Sequence, residues 1–177
     1  YKEDTAELAR PKEAATLIVV RAGPKPTLLM GKRAASHRFM PNKFVFPGGG
    51  LDLIDQRLQV PGDLSRPVME RLRKATRKTM NERKLRGLAL AAIRETFEET
   101  GLIVGRPASR RAMTTHSVWR DYLAHGAEPP LEHMDFIARA ITPAYLTRRF
   151  DTRFFMIHDQ FIFNDPEQIS DASGELN

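Results

Sequence analysis

The sequence has no cysteine and only one tryptophan among its 177 residues. The lack of cysteine excludes a disulfide scaffold, a thiolate metal site and cysteine catalysis. No apolar run approaches the roughly 18 residues that a membrane span needs, so no membrane-spanning segment is expected. A hydrophobic share of 41% is nevertheless enough for a packed core, and the length predicts a single domain over residues 1–177.

The two ends of the sequence leave its cellular context open. The chain begins at Tyr1 rather than Met, and no signal peptide is visible. The last residues, 171–177, are typical of a turn that enters a strand, so we expect the natural chain to continue beyond them. We expect an intracellular, cytoplasmic protein, with organelle targeting left open.

Positive charge is concentrated in one segment. Residues 56–87 contain ten Lys or Arg against three acids, a net charge of +7, whereas the whole chain carries +6. Residues 68–86 contain no Gly or Pro, and their apolar positions recur at helical spacing, which predicts a basic amphipathic helix. Such a helix is either a solvated face or a contact for a polyanion or an acidic surface. The segment contains no aromatic residue, so nucleic acid is not an expected partner.

The remaining pattern predicts a mixed α/β chain. Short β-rich runs separated by turn residues predict strands at 16–21, 27–32, 44–46, 136–141 and 154–157, with 161–163 as an extension of the last. The first two form a hairpin, and the glycines after 44–46 stop the third strand. Further helices are predicted over 85–100, which ends at Gly101, and over 109–125.

The helix over 85–100 carries an unusual cluster of acids. Glu95, Glu98 and Glu99 stand at positions i, i+3 and i+4, so their side chains converge on one patch of the helix. Like charges at this spacing repel each other, whereas a hard divalent cation such as Mg²⁺ reverses the sign of the interaction. Arg94 lies one turn before Glu98 and can hold a carboxylate in position. The pattern therefore indicates a platform for metal-assisted attack on a phosphate.

These residues resemble the Nudix hydrolase family. Its box, G-x(5)-E-x(7)-R-E-U-x-E-E-x-G-U with U aliphatic, is matched in its second half from Arg94 to Leu102, with Thr96 in place of an aliphatic residue. The first half is displaced: Gly49 is followed after five residues by Asp55, which replaces the usual Glu. Between Asp55 and Arg94 lie 38 residues where the box has seven, and the excess is essentially the basic segment.

An insertion of this kind is similar to that of the long-insertion relatives of the peroxisomal coenzyme A diphosphatases. The similarity extends to Arg33, to residues 38–41, to the Phe-Pro-Gly-Gly turn, and to residues 141–143 and 148–155. The resemblance implies an α/β/α sandwich with a mixed sheet and a basic helical insertion at about 56–87 inside the box. The upstream coenzyme A signature is met only in part, because Arg38 fits but Asn42 replaces its glycine.

The resemblance also implies a metal-dependent mechanism. Glu98 and Glu99 would bind Mg²⁺ or Mn²⁺ with the carbonyl of Gly48 nearby. Glu95 would be a further ligand or the base that activates water, and Arg94 would orient the cluster. Glu95, Arg94 and Glu98 are thus the expected catalytic residues. A carboxylate outside the box often completes such sites, and the candidates for it are Glu132, Asp135 and Asp159.

Several arginines are candidates for binding substrate phosphates, since a guanidinium matches phosphate oxygens in geometry. Arg33 and Arg38 precede the glycine turn. Arg148 and Arg153 lie in the later part of the chain, and the alternative for this group is an ion pair with Asp151. Trp119 is expected to be a core anchor.

The resemblance implies cleavage of the diphosphate in a nucleoside-diphosphate-linked, small-molecule substrate. The leading substrate is coenzyme A or an acyl derivative. The alternatives are ADP-ribose, a nucleotide sugar or a dinucleotide. A rival from another class is a non-catalytic domain that binds a ligand or RNA, and a homodimer through the basic helix is left open.

Overall fold

The computed structural model describes residues 10–32, 43–76 and 80–165. The strands in these ranges are β1 (Lys12–Arg21), β2 (Thr27–Leu28), β3 (Gly31–Lys32), β4 (Phe44–Val45), β5 (Gly48–Gly50), β6 (Arg106–Pro107), β7 (Ala127–Glu128), β8 (Asp135–Ile141) and β9 (Phe150–His158). The helices are α1 (Leu53–Arg57), α2 (Arg66–Lys74), α3 (Glu82–Thr100) and α4 (Ser117–Ala124), with short 3₁₀ helices at Leu131–His133 and Asp159–Phe161.

A mixed sheet organises the fold around β1. On one side β1 runs parallel to β9, which pairs antiparallel with β8. On the other side β1 pairs antiparallel with β5 near its start and with β2 near its end. Ala15 is the register partner of both Gly49 and Arg153, so these three residues form one row across the sheet. The predicted mixed α/β class with a mixed sheet is confirmed.

Helix α3 packs on this sheet and builds most of the core. Every residue from Leu88 to Ile93 is fully buried, as are Leu17 of β1 and Phe155 of β9. The helix begins at Asn81, whose side chain accepts from the Lys84 N–H, and ends at Gly101 in a left-handed conformation with φ 71°. This confirms the helix predicted over 85–100 and extends it by one turn at its start. None of the helices in the described ranges combines the length and apolar character needed to cross a membrane.

The strands near the glycine turn differ from the prediction. The run 27–32 is two short strands, because β2 pairs with β1 whereas β3 pairs with β4. The glycines at 48–50 do not simply stop a strand but form β5, which pairs with Ala14–Thr16. A side chain on Gly48 would clash with the Ala15 carbonyl at 2.5 Å, so glycine permits this close pairing.

The predicted basic helix over 68–86 is wrong as one helix. It consists of α2 and the first turn of α3, and the cap at Asn81 starts the second helix. Several of its basic side chains are held by ion pairs, which join Arg71 to Asp135, Arg73 to Glu82 and Arg86 to Asp63. Helix α2 also buries Leu72 completely. This segment is therefore integrated into the core rather than presented only as a charged face.

Two predictions in the last third are corrected. The helix over 109–125 is shortened to α4, because Ser109 instead binds the Glu128 carboxylate and fixes the preceding loop. Residues 161–163 do not extend β9, since a 3₁₀ turn follows it and Ile162 forms an isolated bridge with Val104. Residues 171–177, predicted to enter a strand, lie outside the described ranges.

Candidate active site

The carboxylates of α3 gather around one guanidinium. Arg94 Nη1 donates to Glu95 Oε1 at 3.0 Å and to Glu98 Oε2 at 3.2 Å. The Arg94 side chain is only 6% exposed, whereas that of Glu98 is 47% exposed. Glu99 turns toward the sheet, where its Oε2 accepts from the Gly48 N–H at 3.0 Å. The structure thus brings Arg94, Glu95, Glu98, Glu99 and Gly48 into one neighbourhood.

Asp55, in helix α1, also belongs to this cluster of side chains. Its side chain is fully buried at the third position of α1, and its Oδ2 accepts from the Asp52 N–H at 2.9 Å in a capping box. Arg94 donates to it through Nε at 2.9 Å and Nη2 at 3.0 Å. The two halves of the predicted box therefore meet, although Asp55 and Arg94 are 39 positions apart in the sequence.

Burial and charge shift the proton affinities of the site. Burial raises the pKa of the Glu95 carboxyl, and the neighbouring Glu98 and Asp55 charges raise it further against the opposing effect of Arg94, so the net shift is upward. Burial alone would lower the pKa of Arg94. Its hydrogen bond to Asp55 and the charges of Asp55 and Glu95 raise that pKa overall, so the guanidinium stays charged.

Gly49 and Gly50 of strand β5 contact the side chains of this cluster. A Cβ atom added to Gly49 would stand 2.4 Å from Glu95 Cδ, so the missing side chain leaves the space that the Glu95 carboxylate fills. Arg94 Nη2 also donates to the Gly50 carbonyl at 2.9 Å. Strand β5 and the carboxylate-bearing end of α3 are therefore held together by direct contacts.

These residues fit a hard divalent cation in their chemistry. Their carboxylate and carbonyl oxygens are the donors that Mg²⁺ and Mn²⁺ prefer. The space over Gly49 holds the half-buried Glu95 carboxylate, and Glu95 and Glu98 both accept hydrogen bonds from Arg94. Burial is the main cause of the raised pKa of Glu95, and the nearby charge of Glu98 adds to it. Within the described residues, no three acidic, histidine or cysteine side chains are already arranged around a common metal position.

Two of the four predicted substrate arginines lie within the described residues, and their environments differ. Arg33 and Arg38 lie outside the described residues. Arg148 is exposed in the turn before β9 and lines a surface pocket with Arg10, Lys12 and Arg149. Arg153 is 0% exposed, and its ion pairs with Asp151 and Glu13 correspond to the alternative considered for it.

The three carboxylates considered as additional ligands all lie in ion pairs. Glu132 pairs with Arg106, Asp135 pairs with Arg71, and Asp159 binds Arg21 at 2.8 Å. Thr96, which departs from the aliphatic pattern of the box, is fully buried and donates its hydroxyl to the Ala92 carbonyl at 2.8 Å. A hydroxyl is tolerated in the core at this position because the helix backbone accepts its hydrogen bond.

One hydrogen bond near the site was not predicted from the sequence. Trp119 is fully buried, as expected of a core anchor, but its indole N–H also donates to Asp55 Oδ1 at 2.8 Å. No local pattern could reveal this contact, because Trp119 and Asp55 are 64 residues apart and lie on different helices.

Comparison with known proteins gives matches among solved structures. No family model and no curated protein matches the chain. The chain is similar to a NUDIX hydrolase from Alicyclobacillus acidocaldarius, with a TM-score of 0.64 and 25% identity over 96% of this chain and 78% of that one.

Two further structures align more weakly. A MutT/nudix family protein from Enterococcus faecalis has a TM-score of 0.48 and 12% identity over 99% of this chain and 44% of that one. The Ap4A hydrolase of C. elegans has a TM-score of 0.39 and 14% identity over 95% and 79% of the two chains. Both TM-scores are below the level at which a shared fold supports an inference about this chain. The chain therefore shares its fold with a NUDIX hydrolase over nearly its whole length, which supports a relationship to the Nudix family.

Proposed function

We propose that the chain is a divalent-metal-dependent hydrolase that cleaves the diphosphate of a nucleoside-diphosphate-linked compound. The observation that carries this proposal is the buried Asp55–Arg94 pair, whose guanidinium binds Glu95, which lies over Gly49, and Glu98. Three carboxylates on one helix face repel each other, and a bound divalent cation that acts on a phosphate would offset this repulsion. The similarity in fold to a NUDIX hydrolase supports the same class of reaction.

The proposed roles follow from the contacts of each residue. Glu98 and Glu99 would hold Mg²⁺ or Mn²⁺, with Glu95 and the Gly48 carbonyl as further ligands. The bound ion would polarise a phosphoryl oxygen and make a water molecule more acidic. Arg94 keeps the carboxylates in place, because it binds Glu95 and Glu98 through one nitrogen and Asp55 through two others.

Glu95 is also the leading candidate for the base. Its raised pKa makes its carboxylate a better proton acceptor than an ordinary glutamate. Glu95 and Glu98 share the Arg94 guanidinium as a counterion, and the charge of Glu98 contributes to the raised pKa of Glu95, so a base role for Glu95 includes the influence of its neighbour.

Coenzyme A or an acyl derivative is the proposed substrate, on the basis of the resemblance to the long-insertion branch. The pocket around Arg148 offers positive charge for an anionic group, with Arg10, Lys12 and Arg149 beside it. The basic segment offers less positive charge to a substrate than its composition suggests, because Arg71 and Arg73 are ion-paired within the protein. ADP-ribose, nucleotide sugars and dinucleotides are the alternative substrates.

A domain that only binds a ligand or RNA is the rival proposal. Such a domain would not need the costly arrangement of Glu95, Glu98 and Glu99 on one helix. The proposed partner is therefore a small nucleotide-type molecule, and the homodimer, the cytoplasmic location and the insertion at about 56–87 remain proposals from the sequence.

Product analysis on a substrate panel tests the proposal. Coenzyme A, acetyl-coenzyme A, ADP-ribose, NADH and dinucleotides are each incubated with Mg²⁺ or Mn²⁺ and the wild-type protein. Glu98→Gln is the test variant, and Glu70→Gln, on the exposed side of α2, is the matched control.

Metal-dependent release of 3′,5′-ADP from coenzyme A, lost in Glu98→Gln and kept in Glu70→Gln, is the expected result. Turnover of another compound keeps the reaction class and rejects coenzyme A. If nothing in the panel is cleaved while nucleotide or RNA binds, the binding-domain rival replaces the hydrolase.

A further inference from the structure

Trp119 contacts the same carboxylate oxygen as Arg94. Its indole Nε1 donates to Asp55 Oδ1 at 2.8 Å, and Arg94 Nε donates to that oxygen at 2.9 Å. Trp119 and Asp55 are both 0% exposed, so water does not compete for this bond. The Trp119 indole is thus a fixed donor to the carboxylate that binds Arg94.

The Asp55 carboxylate has no acceptor capacity left. A carboxylate offers about four lone-pair positions. In Asp55 these are used by Trp119 and Arg94 on Oδ1 and by Arg94 and the Asp52 N–H on Oδ2. Loss of the indole bond therefore leaves one buried position unfilled and removes a restraint on the plane of the carboxylate.

Trp119 is also linked to α3 by aromatic packing through Tyr122. It packs edge-on against Tyr122, with ring centroids 5.2 Å apart, and Tyr122 packs edge-on against Phe97 at 5.7 Å. Phe97 stands between Glu95 and Glu98 in the chain. Helix α4 consequently contacts α3 through packing and contacts Asp55 through one hydrogen bond, and these two effects can be separated.

We infer that Trp119 is a positioning residue whose indole N–H fixes Asp55, and through Asp55 fixes the Arg94 guanidinium that orients Glu95 and Glu98. The inference rests on the proposed function, because it assigns the carboxylates to metal binding. Its physical basis is a chain of direct bonds from Trp119 to Asp55, from Asp55 to Arg94 and from Arg94 to both glutamates. Loss of a group that hydrogen-bonds a metal ligand directly commonly costs about 10- to 100-fold in metal affinity. Trp119 acts through Asp55 and Arg94, so a smaller effect is expected.

Two variants distinguish positioning from packing. Trp119→Phe keeps an aromatic ring on α4 but removes the indole N–H. Tyr122→Phe removes a different buried donor of the same aromatic cluster, the hydroxyl that binds the Val104 carbonyl at 2.7 Å. Because Tyr122 does not bind Asp55, its variant reproduces the loss of a buried hydrogen bond without touching the carboxylate network.

Mn²⁺ binding to the purified protein is the direct measurement, followed through the electron paramagnetic resonance signal of the free ion. We expect Trp119→Phe to raise the Mn²⁺ dissociation constant at least threefold and Tyr122→Phe to leave it within twofold of wild type. The metal concentration for half-maximal hydrolysis should rise in parallel in Trp119→Phe, and kcat should fall more than KM rises. Equal Mn²⁺ affinity in wild type and Trp119→Phe overturns the inference, as does an equal loss in Tyr122→Phe.

The wild-type protein separates this inference from the proposed function. If wild type neither binds Mn²⁺ nor hydrolyses any compound of the panel, the proposed function fails. If wild type binds Mn²⁺ and Trp119→Phe binds it equally well, only the positioning role fails.

A second measurement uses the single tryptophan of the chain and stays decisive if Trp119→Phe does not fold. The indole ¹⁵N–¹H signal of wild type should shift during a Mg²⁺ titration with the same half-saturation as activation. An indole signal that does not respond to Mg²⁺ overturns the positioning role.

Discussion

Arg94 and Asp55 bind each other through two parallel hydrogen bonds, from Nε to Oδ1 at 2.9 Å and from Nη2 to Oδ2 at 3.0 Å. This bidentate arrangement is the strongest pairing that arginine makes with a carboxylate. The side chains are 6% and 0% exposed, so each charge depends on the other for compensation in the core. The pair therefore links the stability of the fold to the geometry of the site.

Loss of the Asp55 charge should destabilise the protein. Asp55→Asn leaves the buried Arg94 guanidinium without its main counterion, and we expect a loss of about 3 kcal/mol in the free energy of unfolding. The loss stays at this lower end because Glu95 and Glu98 still bind Arg94. Urea denaturation measures it, with Asp55→Glu as the control that keeps the charge. A loss of less than about 1 kcal/mol in Asp55→Asn would contradict the stabilising role of the pair.

A side chain on Gly49 should displace Glu95. The Cβ atom of Gly49→Ala would stand 2.4 Å from Glu95 Cδ, whereas the Cβ atom of Gly50→Ala meets nothing within 4 Å. We expect Gly49→Ala to lower kcat/KM about 100-fold, the usual effect of misplacing a reacting group by about 1 Å. Gly50→Ala should keep near wild-type activity. Steady-state hydrolysis of the preferred substrate tests both variants, and similar activities for the two would be inconsistent with the Gly49–Glu95 contact.

Acid should destabilise the fold partly through Glu128. Burial raises the pKa of this carboxyl, but hydrogen bonds from the Ser109 N–H and hydroxyl and from Arg106 outweigh burial and lower it overall. A carboxyl with a lowered folded-state pKa contributes stability above its unfolded value near 4.5 and loses it as the pH falls through the folded value.

The comparison of Glu128→Gln with wild type isolates this contribution. We expect the variant to lose about 1–3 kcal/mol of unfolding free energy at pH 7, with the difference from wild type shrinking below pH 4.5. Chemical denaturation between pH 7 and pH 3 measures it, with the exposed Glu70→Gln as the control. A constant difference across that range would assign the effect to packing rather than to charge.

Arg153 should contribute to stability and not to substrate affinity. Its guanidinium is fully buried beside Asp151 and Glu13, and Arg153→Met removes the cation that pairs with both, while Asp151 keeps its two bonds from Arg139. We expect a loss of about 3 kcal/mol in the free energy of unfolding with an unchanged KM. Arg148→Met, at an exposed position, should cost less than about 0.5 kcal/mol. A raised KM with normal stability in Arg153→Met would restore its predicted role in phosphate binding.

The part of the site that lies on α3 was predictable because it depends on local geometry. The spacing of Glu95, Glu98 and Glu99 alone places them on one helix face, and Gly101 ends the helix where the sequence indicates. The mixed α/β class followed in the same way from short β-rich runs bounded by turn residues and from the helical spacing of apolar residues between them.

The parts that could not be predicted depend on contacts between distant segments. Strand β5 consists of glycines, which carry no side-chain alternation, so only its pairing with β1 defines it. The break between α2 and α3 is decided by the Asn81 cap within an otherwise helical pattern. The Trp119–Asp55 bond joins two helices and has no local signature.

The parallel pairing of β1 with β9 has a consequence for how the chain folds. Lys12–Val20 pair with Phe150–His158. Strand β1 therefore cannot complete its pairing until a segment more than 100 residues later in the chain has been synthesised. Closing so long a loop is slow, and until it closes one edge of β1 presents unpaired backbone groups. Folding on the ribosome should therefore be delayed until β9 emerges, and nascent chains that end before Phe150 should aggregate or engage chaperones.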